Sequence, residues 1–479
     1  MSDLHRTETD PIGNDELIST LVADRDRYTA EDPQIPGPEA VVVSGDLVQG
    51  AGPGSVDPDA EVGDQYEVAV DLLARLAERF AEGDRSRVLV VPGNHDVEWH
   101  VARQAMTAVD AAAVPKDLSP IAFGPSSDLR WDWRERRLYR IVDHELYEHR
   151  FRHYTAAMQS FYAGVRLPFG CDDKAYYRLF ELFEGRVGVV GFNSCGGNDC
   201  FAFHGHIPQR AVARAHMDLH DRAAGYDLLM AIWHHSIEGA PYTSDYMDVE
   251  VVHALIGKGF RLGLHGHQHR AQAASRYIHL PEQEPMAVIS AGSLCAGRHD
   301  LPTGVNRQYN IVELDDAFTK ARVHIREMAV ATVFAAARRS ELGGRGYVDL
   351  SLGGDSERAH AALIARQRPL VDEAEQAISD GRFADALSIL AATRPTKESY
   401  PRTLLVRALR EGRLWDRAGA ALAGPLNAAE LALLVRANTE TGRLDDALSL
   451  LGRAPVLGMP EPVAADLRRW VETQREINR

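Results

Sequence analysis

Five short clusters hold most of the side chains in this 479-residue chain that could bind or move charge together. They are Asp3 with His5; Gly45-Asp46; Gly93-Asn94-His95-Asp96; His234-His235; and Gly266-His267-Gln268-His269. Carboxylates, imidazoles and an amide oxygen form a donor set suited to borderline divalent metals such as manganese, iron or zinc. Taken singly, the clusters say little. A Gly-Asp pair after a strand is ordinarily a turn, and Gly-Asn-His-Asp reads equally well as a turn with a helix cap. Gly-His-Gln-His is more specific, because two imidazoles two residues apart have little structural use. His204-Gly205-His206 imitates part of that last cluster and reads as a loop. Cys171, Cys195, Cys200 and Cys295 contain no CxxC pair, so they are expected as free thiols in a reducing compartment, with Cys195 and Cys200 structural.

What makes the set coherent is where the clusters fall. Short apolar runs without polar alternation occur at Ala40–Ser44, Val88–Val91, Val187–Gly191, Leu228–Trp233, Arg261–Leu264, Ala287–Ser290, Tyr309–Leu314 and Ala321–Arg326. Such runs suit strands buried on both faces of a layered α/β protein. Tyr66–Glu82 has the apolar stripe of an amphipathic helix between the first two. Nearly every cluster follows one of these runs. Strand C-terminal ends in such folds open onto one edge, where ligands bind, so residues far apart in sequence can converge there. Asp3 and His5 are the exception, since only Met1 and Ser2 precede them.

The strand pattern lapses over about 110–184, a stretch rich in Arg and aromatics, including Arg130, Trp131, Trp133, Phe151 and Tyr154. It is expected to be a mostly helical insertion whose aromatics pack on the core. A Gly- and Ser-rich segment over 331–358 reads as a linker. Beyond it, Gly381-Arg382-Phe383, Gly412-Arg413-Leu414 and Gly442-Arg443-Leu444 each lead into a helix, at intervals of roughly 30 residues. Residues 359–479 are therefore expected to be stacked helical hairpins, similar to tetratricopeptide repeats, offering a surface for a protein partner or for self-association.

Composition narrows the function further. A net charge of −16 disfavours wholesale wrapping of nucleic acid, though it leaves room for a local basic groove. The N-terminus has no apolar leader, and no uninterrupted apolar run approaches membrane-spanning length, so a cytoplasmic protein with no membrane partner is expected.

Together the clusters resemble the calcineurin-like metallophosphoesterase superfamily, with its order Asp-x-His, Gly-Asp, Gly-Asn-His-Asp/Glu, a strand-end His, and Gly-His-x-His. The resemblance covers about residues 1–330. It implies an α/β four-layer sandwich, two mixed β-sheets flanked by helices, followed here by an all-α repeat domain. It also implies two divalent transition-metal ions, manganese first and iron or zinc as alternatives. Carried over position by position, Asp3, His5 and His269 hold the first ion, Asn94, His234 and His267 the second, and Asp46 bridges both. The two ions, about 3.5–4 Å apart, clamp phosphate oxygens and generate a bridging hydroxide that attacks phosphorus. His95 would stabilise charge on the phosphate and help protonate the leaving oxygen. Asp96 would orient His95 or cap the following helix, and His235 would lie beside the substrate. The Gly-Asn-His-Asp form and the His-His pair are most similar to cyclic-nucleotide phosphodiesterases and their bacterial relatives, which implies a phosphodiester or nucleotide-type substrate. A metal-dependent nuclease of repair or defence type is the alternative, supported by the Arg/aromatic stretch and opposed by the acidic chain. A non-catalytic scaffold is the third reading, opposed by the completeness of the donor set.

Overall fold

The computed structural model of the chain describes residues 1–7, 12–52, 54–110, 127–165, 176–220, 226–238, 245–276, 286–297, 301–329, 333–338, 344–353, 369–392, 400–422 and 424–477. Cys171 lies outside them. The chain divides into two compact units: residues 1–276 with 285–353, and residues 354–479 with 277–284.

The first unit follows from its apolar runs. Strands β1 (Val41–Ser44) and β2 (Val88–Val91) pair in parallel. Helix α1 (Asn14–Arg25) precedes β1, and α2 (Pro58–Phe80) connects the two strands. Helix α2 begins where Asp57 accepts a hydrogen bond from the Ala60 amide and Pro58 supplies a pre-set φ. It buries Val62, Tyr66, Ala69, Leu72, Leu73 and Leu76, the stripe visible in the sequence, although it starts two turns earlier than that stripe suggests. The connection between β2 and the next helix, α3 (Trp99–Gln104), contains a 3-10 turn at Asn94–Asp96.

The largest sheet has six strands in the order β10-β11-β9-β8-β7-β6, with ranges Gln272–Arg276, Met286–Ser290, Phe260–His265, Leu228–Ile232, Val187–Phe192 and Tyr177–Leu182. The four inner strands run parallel and the two edges antiparallel. The inner runs are almost wholly apolar because both faces are covered, as for Val187–Phe192, which is buried throughout. A four-stranded antiparallel sheet follows, with β12 (Gln308–Leu314), β13 (Lys320–Ala329), β14 (Val333–Ala336) and β15 (Tyr347–Ser351). One apolar core draws on β1, β2, α2, the six-stranded sheet, β12 and β13. The fold class expected from the sequence, mixed sheets with helices and an all-helical C-terminal region, is the one observed.

Two expectations need correction. Residues 331–358 are not simply a linker, because β14 and β15 both lie there and both pair with β13. Their residues, Val-Phe-Ala-Ala and Tyr-Val-Asp-Leu-Ser, are masked by the surrounding Gly, Ser and Arg. Among its described residues, the stretch over 110–184 is mixed rather than mostly helical. It holds a hairpin, β4 (Leu129–Asp132) with β5 (Arg137–Ile141), completed by β3 (Met106–Ala108), as well as α4 (His144–Glu148) and α5 (Arg152–Phe161). Its aromatics do pack inward: Tyr139, Tyr147, Tyr154, Phe161 and Tyr162 are buried, whereas Trp133 is 83% exposed.

In the second unit, the helix over 369–379 (α8) is followed by α9 (Phe383–Ala392), α10 (Tyr400–Glu411), α11 (Trp415–Leu422), α12 (Ala428–Glu440), α13 (Leu444–Leu451) and α14 (Glu461–Ile477). The recurring Gly-Arg turns do what the sequence implies. Gly381 and Gly442 adopt φ values of 74° and 76°, which end one helix and reverse the chain into the next. Leu431, Val435, Ala447, Leu451 and Val471 pack together from α12, α13 and α14, as expected where each helix buries its apolar face on its neighbours.

Candidate metal centre

The first residues of the chain are built into the fold despite the lack of a strand before them. Met1 donates its amino group to Val42 O and accepts from Ser44 N, and Ser2 and Arg6 form parallel bridges to Ser293 and Val48. Asp3 N donates to Gly45 O, and both Leu4 N and His5 N donate to Asp46 O. Asp3 and His5 are thereby fixed beside the end of β1, both buried.

Around Asp46 the five sequence clusters converge. On one side lie Asp3, His5 and His269, whose donor atoms together with that of Asp46 fall within 4.8 Å of one another. His5 Nε2 is 3.1 Å from His269 Nε2 and 3.6 Å from Asp46 Oδ2, and His269 Nε2 is 3.3 Å from Asp3 Oδ1. On the other side, His234 Nε2 is 3.2 Å from the same Asp46 Oδ2, 2.9 Å from Asn94 Oδ1 and 3.3 Å from His267 Nδ1. Asn94 Oδ1 is 3.0 Å from His267 Nδ1. One carboxylate oxygen thus faces both groups. The other, Oδ1, is held by the backbone amide of His95 at 2.9 Å.

Backbone strain is concentrated here. Asp3, His5, Asp46, His267 and His269 all have positive φ, between 45° and 79°. Non-glycine residues rarely adopt that region, and persistent strain of this kind collects at functional sites. Gly93 has a different task. A side chain there would run into the Asp46 carboxylate and amide, so the close approach of the two loops requires glycine.

The donor chemistry fits a bound cation. Ser44 O can only accept, so His234 Nδ1, 2.8 Å away, carries its hydrogen. The Nε2 of the neutral ring then presents a lone pair to two oxygens and a second imidazole nitrogen. Those lone pairs repel unless a proton or a cation lies among them. The Asn94 amide points its oxygen, not its NH2, at both imidazoles, which is the orientation a cation needs. Without a metal, protonation supplies the relief. Burial depresses the His234 pKa, but the Asp46 carboxylate outweighs it by charge and hydrogen bond, raising the value to about 9. Burial pushes Asp46 up, yet the charges of His234 and His95 and the His234 hydrogen bond hold it well below the usual carboxylate range. For Asp3, burial is likewise overcome, here by His269, and the value falls to about 2. His5 differs: burial dominates and lowers it to about 4, so this ring is neutral. Its Nδ1 is buried with no hydrogen-bond partner.

His95 stands beside the first group, its ring 4.6 Å from that of His5. Its Nδ1 is 2.7 Å from the Gln49 carbonyl, so Nδ1 carries a hydrogen and Nε2 is the available nitrogen. The expectation for Asp96 is corrected. Its buried carboxylate accepts from Gly93 N (2.7 Å), Leu47 N (3.2 Å) and Tyr66 Oη (2.9 Å), capping its own 3-10 turn and tying the loops after β1 and β2 together. Gln49, not Asp96, meets the His95 ring. Burial and the charge of Asp46 raise the Asp96 pKa to about 6 against the pull of those three donors.

The expectation for His235 is also corrected. It is 0% exposed, so it has no surface to offer a substrate. Its ring packs 4.9 Å from that of His267, and Nδ1 is 2.9 Å from Ser194 Oγ. Burial, then His267 and His234, push its pKa well below the usual imidazole value, keeping it neutral. Sequence reasoning missed Ser194, whose hydroxyl accepts from the amides of both His234 (3.2 Å) and His235 (3.3 Å). It also missed Gln49, which acts through its carbonyl and so leaves no side-chain signal, and Asp245, whose Oδ2 is 3.7 Å from His267 Nε2. Cys195 is buried, and desolvation pushes its thiol well up, as suits a structural cysteine. His204-Gly205-His206 forms a loop held by single bridges to Cys195 and Met247.

Among the described residues, no helix is long and apolar enough to cross a membrane. Comparison with curated proteins returns no match. Residues 1–271 match the model of the calcineurin-like phosphoesterases, a metal-dependent family of phosphoester hydrolases, and the chain belongs to that family.

Proposed function

We propose that the chain is a dinuclear phosphodiesterase that hydrolyses a phosphodiester or nucleotide-type substrate. Asp3, His5 and His269 hold one ion, Asn94, His234 and His267 the other, and Asp46 is shared. The observation that carries this reading is Asp46 Oδ2, which lies 3.6 Å from His5 Nε2 and 3.2 Å from His234 Nε2, an oxygen common to two donor groups. Two divalent cations bound there, manganese in preference, supply Lewis acidity toward phosphoryl oxygens and make water nucleophilic at neutral pH.

The protein's own part is positioning and proton transfer. The His95 amide fixes the rotation of Asp46, so a single loop aligns the shared ligand and the proton donor. The Gln49 carbonyl holds the Nδ1–H of His95 and supports a positive charge on the ring, leaving Nε2 to protonate the departing oxygen. Ser44 O does the same for the His234 tautomer, which turns Nε2 inward. The nuclease alternative loses support because Arg130 and Arg150 are buried on Asp199, Tyr147 and the 196–198 carbonyls, where they are unavailable to phosphates. The α8–α14 array is read as a tetratricopeptide-like module for a protein partner or self-association.

A manganese-supplemented hydrolysis panel tests the reading. It compares bis-p-nitrophenyl phosphate, p-nitrophenyl phosphate, cyclic nucleotides, and single- and double-stranded DNA, alongside elemental analysis of the purified protein. The expected result is about two transition-metal ions per chain, diester cleavage, and its abolition by EDTA. Preference for the monoester, or cleavage indifferent to EDTA, overturns it.

A further inference from the structure

A cavity of about 510 Å³ opens beside His95, between the loop after β1, the first turns of α2 and the turn from His95 to His100. That is large enough for a small organic group. Its chemistry is one-sided. Glu61 and Asp64, exposed on α2, line it, and no Lys or Arg is found among its described lining residues. The other two carboxylates of the lining are buried and already held: Glu98 accepts from Arg152 Nε (3.1 Å) and the His153 amide (3.2 Å), and Asp96 from Gly93, Leu47 and Tyr66. The same arginine also pairs with Asp59, so Asp59 and Glu98 share one guanidinium within the fold. The uncompensated charge of the cavity is therefore that of Glu61 and Asp64. Trp99 adds an aromatic face to the wall. Its indole is 36% exposed and braced by Phe203, with ring centroids 5.7 Å apart.

Carboxylates next to an available indole face are the chemistry that recognises an ammonium group. We propose that this cavity receives the leaving alcohol of the substrate and selects a small alcohol carrying a positive charge, an amine or quaternary ammonium. The inference rests on the phosphodiesterase reading, because His95, which protonates the leaving oxygen there, forms part of the cavity wall. A leaving group with further phosphates would bring anions against Glu61 and Asp64, where like charges repel. Polynucleotides are disfavoured for that reason.

The experiment uses the full-length, manganese-loaded protein and two probes of equal shape, choline and its neutral isostere 3,3-dimethylbutanol. Binding of each free alcohol is measured calorimetrically. Release of each from its methyl phosphodiester is followed by NMR. The expected ratio favours the cation by about tenfold in both binding and kcat/KM, and it collapses toward unity in the Glu61→Gln, Asp64→Asn double variant. Trp99→Ala should lower the ratio in part. Both acids are exposed on a helix surface, so the double variant folds, which its circular dichroism verifies. Equal affinity for cation and isostere, or a preference that survives the double variant, overturns the inference. Preferential choline binding without hydrolysis of either diester would retain the cavity's selectivity and refute the phosphodiesterase reading instead.

Discussion

The two donor groups that share Asp46 are built in opposite ways. The first, Asp3, His5 and His269, takes all three residues from left-handed backbone, where the second takes only His267, and the Nδ1 of His5 meets no hydrogen-bond partner. Its strain is stored in the main chain, while the His5 imidazole is already neutral. In the second, His234 is locked by Ser44 O and Ser194 Oγ, and Asn94 is clamped between two imidazoles. That geometry is set in advance, but a proton occupies it. A donor group can thus be prepared by backbone strain or by surrounding hydrogen bonds, and the two preparations carry different costs on metal entry. The first must hold a strained loop, and the second must lose a proton.

Removing the shared ligand abolishes the contrast, so it has the largest expected effect. Asp46→Asn keeps the shape and the contact with the His95 amide but removes the charge that serves both groups. Metal content should fall from about two ions per chain toward none, and diester turnover should be lost. Elemental analysis of the purified variant is the check, and full occupancy with normal turnover would show that the shared oxygen is not a ligand.

His95→Ala separates chemistry from metal binding. The amide that holds Asp46 belongs to the backbone and survives the substitution, so the variant should keep its metal. Turnover should drop by roughly two orders of magnitude, the usual loss for a missing general acid or charge stabiliser. Loss of metal along with activity would move His95 into the coordination sphere.

The proton difference between the groups predicts a pH dependence. His234 has a metal-free pKa raised to about 9, so metal entering the second group must displace a proton at any lower pH. Affinity there should rise about tenfold per pH unit up to that value. In the first group His5, lowered to about 4, has no proton to lose above pH 5. In the metal-free protein the raised pKa of His234 stabilises the fold fully below the ordinary imidazole value, and that contribution is lost as pH climbs through about 9. Thermal melts of EDTA-treated protein should therefore shift downward from pH 6.5 to 9, while those of the loaded protein should not. Two metal equivalents with the same pH response would dissolve the distinction between the groups.

How far the sequence led depends on where the information resides. The eight runs all became strands: those of β1, β2, β7, β8, β9 and β11 are almost wholly apolar because both faces are covered, whereas β13 alternates, as Ala321-Arg322-Val323-His324 shows. The strand-end donors were legible for the same reason: a buried run that stops in Asp, Asn or His has few structural excuses. Legibility failed wherever a partner decides the role. Asp96 looked like the residue that orients His95, yet Gly93 of its own turn and Leu47 and Tyr66 from elsewhere in the fold claim its carboxylate. His235 looked like a neighbour of the substrate beside His234, but a strand end gives successive side chains opposite directions, and His235 turns inward. Gln49 acts through its carbonyl, which every residue possesses. Strands β6 and β10 escaped as well, the latter because Gln-Ala-Ala-Ser-Arg at a sheet edge lacks the apolar face that marks an inner strand.

The smallest expected effect comes from removing the helical unit, and β15 decides where the cut belongs. A chain ending near Ser340, where the Gly- and Ser-rich composition begins, would lose Tyr347–Ser351, which pairs residue by residue with His324–Lys320 of β13. It would also lack Leu350 and Leu352, both buried in the core of the first unit. The cut should follow Gly353, where the compact unit ends. All seven proposed ligands and His95 precede it, and the α12–α14 helices bury Leu431, Val435 and Leu451 against one another. A protein ending at Gly353 should melt cooperatively, keep its metal and cleave bis-p-nitrophenyl phosphate at a rate within about twofold of the full chain, as expected for independent modules. The same protein ending at Ser340 should be destabilised. If the Gly353 form folds and loads metal but is inactive, the helical unit contributes to catalysis, and the contrast between a catalytic unit and a separable partner module fails.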